Sequence, residues 1–134
     1  MKIVLVHGTF DLLHLGHIRL FKEAAKLGRV VVTITADKYV TKRRLVFSQE
    51  ERAEMIRECR SVSDVRIVSD ATGIPAIMAV KPDIYVKGGD YAGAETQALN
   101  SERKAVERLG GKLRILTVES RWHSSELLSG KALA

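Results

Sequence analysis

Short runs of β-branched apolar residues recur along this chain at residues 3–6, 30–34, 65–68, 84–86 and 113–118, each separated from the next by enough sequence for one helix. The runs are short and largely apolar at both alternating positions, the pattern of strands covered on two faces in a parallel sheet. The intervening segments carry helix signals. Ile18, Phe21, Ala25 and Leu27 fall on one side of a first helix that should stop at Gly28. Ser48 followed by Glu51 predicts a capping box opening a second. A third is expected over residues 72–80 with Pro75 in its first turn, a fourth over 100–109 ending at Gly110-Gly111, and a short last one after Ser124.

This alternation predicts an α/β fold: a three-layer α/β/α sandwich around a Rossmann-like five-stranded parallel sheet, with residues 1–134 as a single domain. In such folds ligands bind beyond the carboxyl ends of the strands, where the strand order reverses. A composition of 46% hydrophobic and 28% charged residues argues against disorder, a fibre or a membrane span. Cys59 is the single cysteine, so no intrachain disulfide can form; its expected place is in helix packing, and the usage fits a reducing compartment. The apolar stretch at residues 3–6 is too short for the core of a signal peptide, so a cytoplasmic protein without membrane contact is expected. A formal net charge of +6 favours anionic partners, whether nucleotides, sugar phosphates or nucleic acid.

The richest chemistry follows the first strand, in Gly8-Thr9-Phe10-Asp11-Leu12-Leu13-His14-Leu15-Gly16-His17. His14 and His17 stand where the first helix should begin, a position whose unpaired N–H groups and dipole favour a phosphate. Gly16 would let that phosphate approach the main chain, while the imidazoles can donate to oxygens that gain charge during transfer. The histidine pair alone does not suggest a metal site, since no third ligand of suitable spacing is evident. Neither a phosphate-binding P-loop nor a Gly-x-Gly-x-x-Gly fingerprint occurs, so the phosphate site is of another type.

Gly8-Thr9-Phe10-Asp11 together with His14-Leu15-Gly16-His17 resembles the signature of the cytidylyltransferase-like nucleotidyltransferases, and the likeness runs through most of the chain. These enzymes transfer a nucleoside monophosphate from an NTP to a phosphorylated small molecule and release pyrophosphate. The resemblance implies that His14 and His17 contact the triphosphate, that Mg²⁺ accompanies the NTP, and that attack is direct, without a covalent enzyme intermediate. It places Gly8, Thr9, Phe10 and Gly16 at the nucleotide and Asp11 at the substrate. Lys42, Arg43 and Arg44 follow the second strand, where related enzymes carry cations; Lys42 is expected to act in catalysis and Arg43 to bind substrate. Arg52 matches a family arginine expected at the substrate.

Different segments resemble different branches. Val86-Lys87-Gly88-Gly89-Asp90-Tyr91 is similar to the adenylyltransferase domain that makes ADP-heptose, which favours ATP and places Gly88 and Asp90 at the nucleotide. Arg60 resembles the glycerol-3-phosphate cytidylyltransferases, and implies CTP and a substrate contact. His123-Ser124-Ser125 resembles archaeal FAD synthetases, with Ser124 and Ser125 able to cap the last helix and bind phosphate. Arg121 stands three residues after the place of a family arginine and would substitute for it, and Trp122 can stack on a base or cover the pocket. A homodimer is the expected assembly, since related enzymes are often dimers. A nucleic-acid-binding module is the competing class, but an aromatic content of 5% offers little stacking platform. A nucleotide sensor without turnover is a third, opposed by the intact His14, Gly16 and His17.

Overall fold

A computed structural model describes the chain except for residues 42, 71, 89–95, 120–126 and 128–134. Its elements alternate as expected: β1 (Ile3–Gly8), α1 (Leu15–Ala25), β2 (Arg29–Thr35), a 3₁₀ turn (Asp37–Tyr39), α2 (Gln49–Arg57), β3 (Asp64–Val68), α3 (Ile74–Val80), β4 (Ile84–Gly88), α4 (Gln97–Arg108) and β5 (Lys112–Leu116). The described strands form one five-stranded sheet in the order β3-β2-β1-β4-β5. Every pairing is parallel, with Val6 opposite Val32 on one side and Val86 on the other. The chain winds outward from β1 through β2 to β3, then returns to β4 on β1's other edge, so the order reverses between β1 and β4.

Period-two alternation assigns the faces. Val4, Val6, Val30, Val32, Ile34, Ile84 and Val86 point to one core with Leu20, Phe21 and Ala24 of α1 and Ala53 and Ile56 of α2. Leu5 and Tyr85 point to the other, with Ala76 and Ile77 of α3 and Val106 of α4. Helices on both faces give the three layers.

Local details differ from the expected boundaries for identifiable reasons. The buried stripe of α1 is Gly16, Leu20, Phe21 and Ala24, while Ala25 is exposed. The helix ends before Gly28, whose missing side chain serves a close approach instead: a Cβ there would lie 2.2 Å from the Lys2 carbonyl oxygen. Ser48 and Glu51 form the expected reciprocal cap of α2, and Pro75 sits in the first turn of α3. α4 begins three residues before the expected start because the Thr96 hydroxyl accepts from Leu99 N at 3.1 Å and caps it there. Its stop at Gly110 uses a φ of +89°, which glycine adopts without steric cost. The helix expected after Ser124 lies outside the described residues.

Candidate active site

The reversal point puts the exits of β1 and β4 side by side, and both strands end in glycine. A Cβ on Gly88 would meet only Leu20 Cδ2, at 3.9 Å, so the missing side chain keeps space open above the strand ends. A Cβ on Gly8 would sit 2.9 Å from the Phe10 ring, which folds back beneath the loop. Phe10 has a left-handed backbone, φ 54°, and its side chain is buried. Its ring meets His17 edge-on at 5.1 Å between centroids and Phe21 at 5.4 Å. The Phe10 ring therefore packs against the histidine from below.

His14 and His17 cap α1 reciprocally. His14 Nδ1 accepts from Gly16 N at 3.0 Å, and His17 Nδ1 accepts from His14 N at 3.2 Å. The rings stack with centroids 3.8 Å apart and planes 25° from parallel. A backbone N–H can only donate, so in each ring Nδ1 is the acceptor and Nε2 carries the N–H. Burial first, then His14 and then Arg43, push the His17 imidazole down to about 3, which keeps it neutral near pH 7. Sequence reasoning placed an anion against unpaired main-chain N–H groups. The structure spends the N–H groups of His14 and Gly16 on the imidazoles, which turns the helix terminus into a pair of Nε2–H donors polarised from behind.

Two further expected substrate ligands are turned inward. Asp11 is fully buried, and its Oδ2 accepts from Val46 N at 2.7 Å while Oδ1 accepts from Phe47 N at 3.2 Å. Arg52, likewise 0% exposed, donates from Nη1 to the carbonyls of Thr9 and Thr35, from Nε to that of Phe47, and from Nη2 to Asp37 Oδ1 at 2.6 Å. Fixed in this way, Asp11 and Arg52 tie the exit loops of β1 and β2 to the segment that precedes α2. The guanidinium has no solvent exposure, and its hydrogen bonds hold these loops together.

Arg43 is half-buried and close enough to depress the His17 pKa. With Arg44, Leu45 and Val46 it lines a cavity of about 510 Å³. Arg60 is not brought to this place. It follows α2, which runs back toward the amino-terminal ends of the strands, where Ser63 N donates to Val30 O, and it is exposed there. Lys42, Asp90, Arg121, Ser124 and Ser125, as well as Trp122, lie outside the described residues. Cys59 packs against the first core, its thiol donating to Met55 O, and burial pushes its pKa up, away from thiolate chemistry.

Sequence reasoning missed a polar layer on the opposite face of the same strand ends. His7 Nδ1 lies 2.9 Å from Thr33 Oγ1 and its Nε2 3.5 Å from Thr35 Oγ1. On the other side of β1, Lys87 pairs with Glu102 of α4 at 3.3 Å, both buried. The other Glu102 oxygen accepts from Gly73 N at 2.7 Å. A lysine interrupting the apolar run of the fourth strand was the available signal.

The model of the cytidylyltransferase-like family matches residues 5–127. The chain is 34% identical over 132 residues to the bifunctional protein HldE of Koribacter versatilis (strain Ellin345), covering 95% of this chain and 26% of that protein. It is 35% identical to HldE of Gluconobacter oxydans (strain 621H), covering 96% of this chain and 27% of that protein. The chain thus spans about a quarter of the length of these relatives. Among solved structures, the lipopolysaccharide core biosynthesis protein from Thermoplasma volcanium GSS1 superposes with a TM-score of 0.73 at 27% identity, covering 91% of this chain and 99% of that one.

Proposed function

The chain belongs to the cytidylyltransferase-like family of nucleotidyltransferases, and on that premise we propose that it transfers AMP from ATP to a small phosphorylated acceptor, a sugar phosphate such as heptose 1-phosphate, with release of pyrophosphate. The observation that carries the reading is the stacked pair of histidines at the reversal point, each with its Nδ1 accepting from a main-chain N–H. The similarity to HldE proteins and to a lipopolysaccharide core biosynthesis protein supports the choice of acceptor class.

In this mechanism the ATP triphosphate lies against the amino end of α1. An oxygen of the acceptor phosphate attacks the α-phosphorus, and the bond from that phosphorus to the oxygen bridging to the β-phosphorus breaks in line with the new one. A phosphate dianion is already a nucleophile, so no general base is required. That suits histidines whose Nδ1 atoms are engaged and whose Nε2–H groups donate to phosphate oxygens as charge accumulates. Arg43 adds a positive charge beside them, and Mg²⁺ accompanying the ATP would supply further charge neutralisation. The enzyme would act as a homodimer.

CMP transfer to glycerol 3-phosphate is weakened by the place of Arg60 at the far edge of the sheet. The test is pyrophosphate release with Mg²⁺, using ATP and CTP separately against heptose 1-phosphate, other sugar 1-phosphates, glycerol 3-phosphate and FMN. Release that requires ATP and a sugar 1-phosphate is expected. Dependence on CTP and glycerol 3-phosphate would replace the reading, and absence of both turnover and NTP binding would remove it.

A further inference from the structure

Among the described residues buried in the first core, Phe10 is the one that belongs to no strand or helix. It stands in the loop after β1 and reaches the core through a left-handed backbone, φ 54°. A bulky side chain is an uncommon occupant of that region, and persists there only where the surrounding structure dictates the conformation. Core volume alone gives no reason for it, since a residue on a strand or helix supplies volume without backbone strain. What the conformation achieves is an aromatic ring set directly against a histidine. Phe10 is 6% exposed, and its ring stands at 86° to that of His17.

The ring is held from two directions. Phe21, one turn beyond His17 on α1, meets it at 64°, so the ring lies against side chains four apart on one helix face. From β1 the main chain of Gly8 closes in: a Cβ there would stand 2.9, 3.1 and 3.3 Å from Cζ, Cε2 and Cε1 of the ring. Phe10 is thus a wedge between the exit of β1 and the histidine helix, and glycine at residue 8 makes room for it. His17 is in turn held by three contacts. Its Nδ1 accepts from His14 N, its ring stacks on that of His14, and the Phe10 ring stands across it. These contacts together oppose both tilt and flip of the imidazole, so the direction of Nε2–H is set by the protein. Burial is the first cause of the depressed His17 pKa, ahead of His14 and Arg43, and the Phe10 ring is part of what buries it.

We propose that Phe10 is a positioning residue for the transfer: its ring holds the His17 imidazole at the angle from which Nε2–H meets the reacting phosphate, and Gly8 provides the space in which that ring lies. The proposal rests on the transfer reading for the role of His17. A donor aimed at developing charge loses its value when it is slightly misplaced, so the effect of the ring belongs to the transition state more than to the bound nucleotide.

The test compares Phe10→Leu with wild type by pyrophosphate release and by NMR titration of the histidine rings, with the His17 signals assigned from the spectrum of His17→Asn. Leucine keeps an apolar side chain at residue 10 and removes the flat ring. We expect kcat to fall roughly tenfold with KM for ATP within about twofold of wild type, the pattern of an interaction realised in the transition state. The His17 titration should move up from about 3 toward the ordinary 6.5. Phe21→Leu removes the ring behind Phe10 without touching the imidazole's own contacts; it should shift both readouts the same way by a smaller amount, and it takes over the test where Phe10→Leu fails to fold. A folded variant with wild-type kcat, a KM that rises with kcat unchanged, or a His17 titration that does not move would overturn the proposal. A moved His17 titration in a protein whose wild type releases no pyrophosphate would uphold the hold of the ring on the imidazole and remove the transfer reading alone.

Discussion

Asp11 and Arg52 grip the main chain of Phe47 from opposite sides: the Asp11 carboxylate accepts from its N–H and the Arg52 Nε donates to its carbonyl. Both residues are fully buried. Between them they fix the end of the loop that carries Arg43, and therefore the distance from that cation to the histidines.

Arg52→Ala should act first on stability. It leaves the carbonyls of Thr9, Thr35 and Phe47 without their charged donor in a buried place, at a cost of about 3 kcal/mol or more. Arg60→Ala, on an exposed position at the far edge, should stay within about 0.5 kcal/mol of wild type with unchanged turnover. Urea melts of the two variants decide the matter; an Arg52→Ala protein as stable as wild type would show that the buried network is dispensable.

Asp11→Asn keeps one accepting oxygen but turns an amide N–H₂ toward a main-chain donor, either Val46 N or Phe47 N. We expect a loss of about 1–3 kcal/mol in stability and a raised KM for the NTP as Arg43 shifts. Initial-rate kinetics over a range of NTP concentrations would check this, and an unaltered KM would separate Asp11 from the basic loop.

His17→Ala should lower turnover roughly a hundredfold by removing one donor to the transition state. Loss of the cap on His14 N adds a stability cost of about 1 kcal/mol, too small to unfold a domain of this size. Circular dichroism and pyrophosphate release should be measured on the same sample. Near-normal turnover in a folded variant would refute the role.

His17 also predicts a pH effect. Its imidazole is held neutral in the fold, at about 3 against an ordinary 6.5, so the unfolded chain binds the proton more readily. Its stabilising contribution is complete above about pH 6.5 and is lost as the pH falls toward about 3. In His17→Asn, whose amide oxygen can still accept from His14 N, unfolding free energy should fall less steeply over that window. Parallel slopes for the two proteins would contradict the burial-driven shift.

The architecture was legible because strand burial writes itself into composition: Val30 to Ile34 or Ile84 to Val86 can hardly be anything but doubly covered strands. His14 and His17 were legible because their spacing and their place at a helix start are local facts. What escaped was long-range. Asp11 and Arg52 have the residue types of ligands, and their buried partners are contributed by segments remote in the chain. Lys87 and Glu102 are likewise joined only once α4 packs against β4. Polar side chains can serve loops or ligands with the same atoms, and only their surroundings tell the two apart.

β1 sits at the centre of the sheet with partners on both edges, and its second partner comes late: Val4 meets Ile84. During synthesis the histidine turn leaves the ribosome long before β4 exists. Until then one edge of an apolar strand stands open, an invitation to adhere to other nascent chains. The arrival of β4 closes that edge and in the same movement raises the second wall of the crevice. Protection from aggregation and competence to bind are gained in one docking event, so a chain halted before residue 84 would have neither.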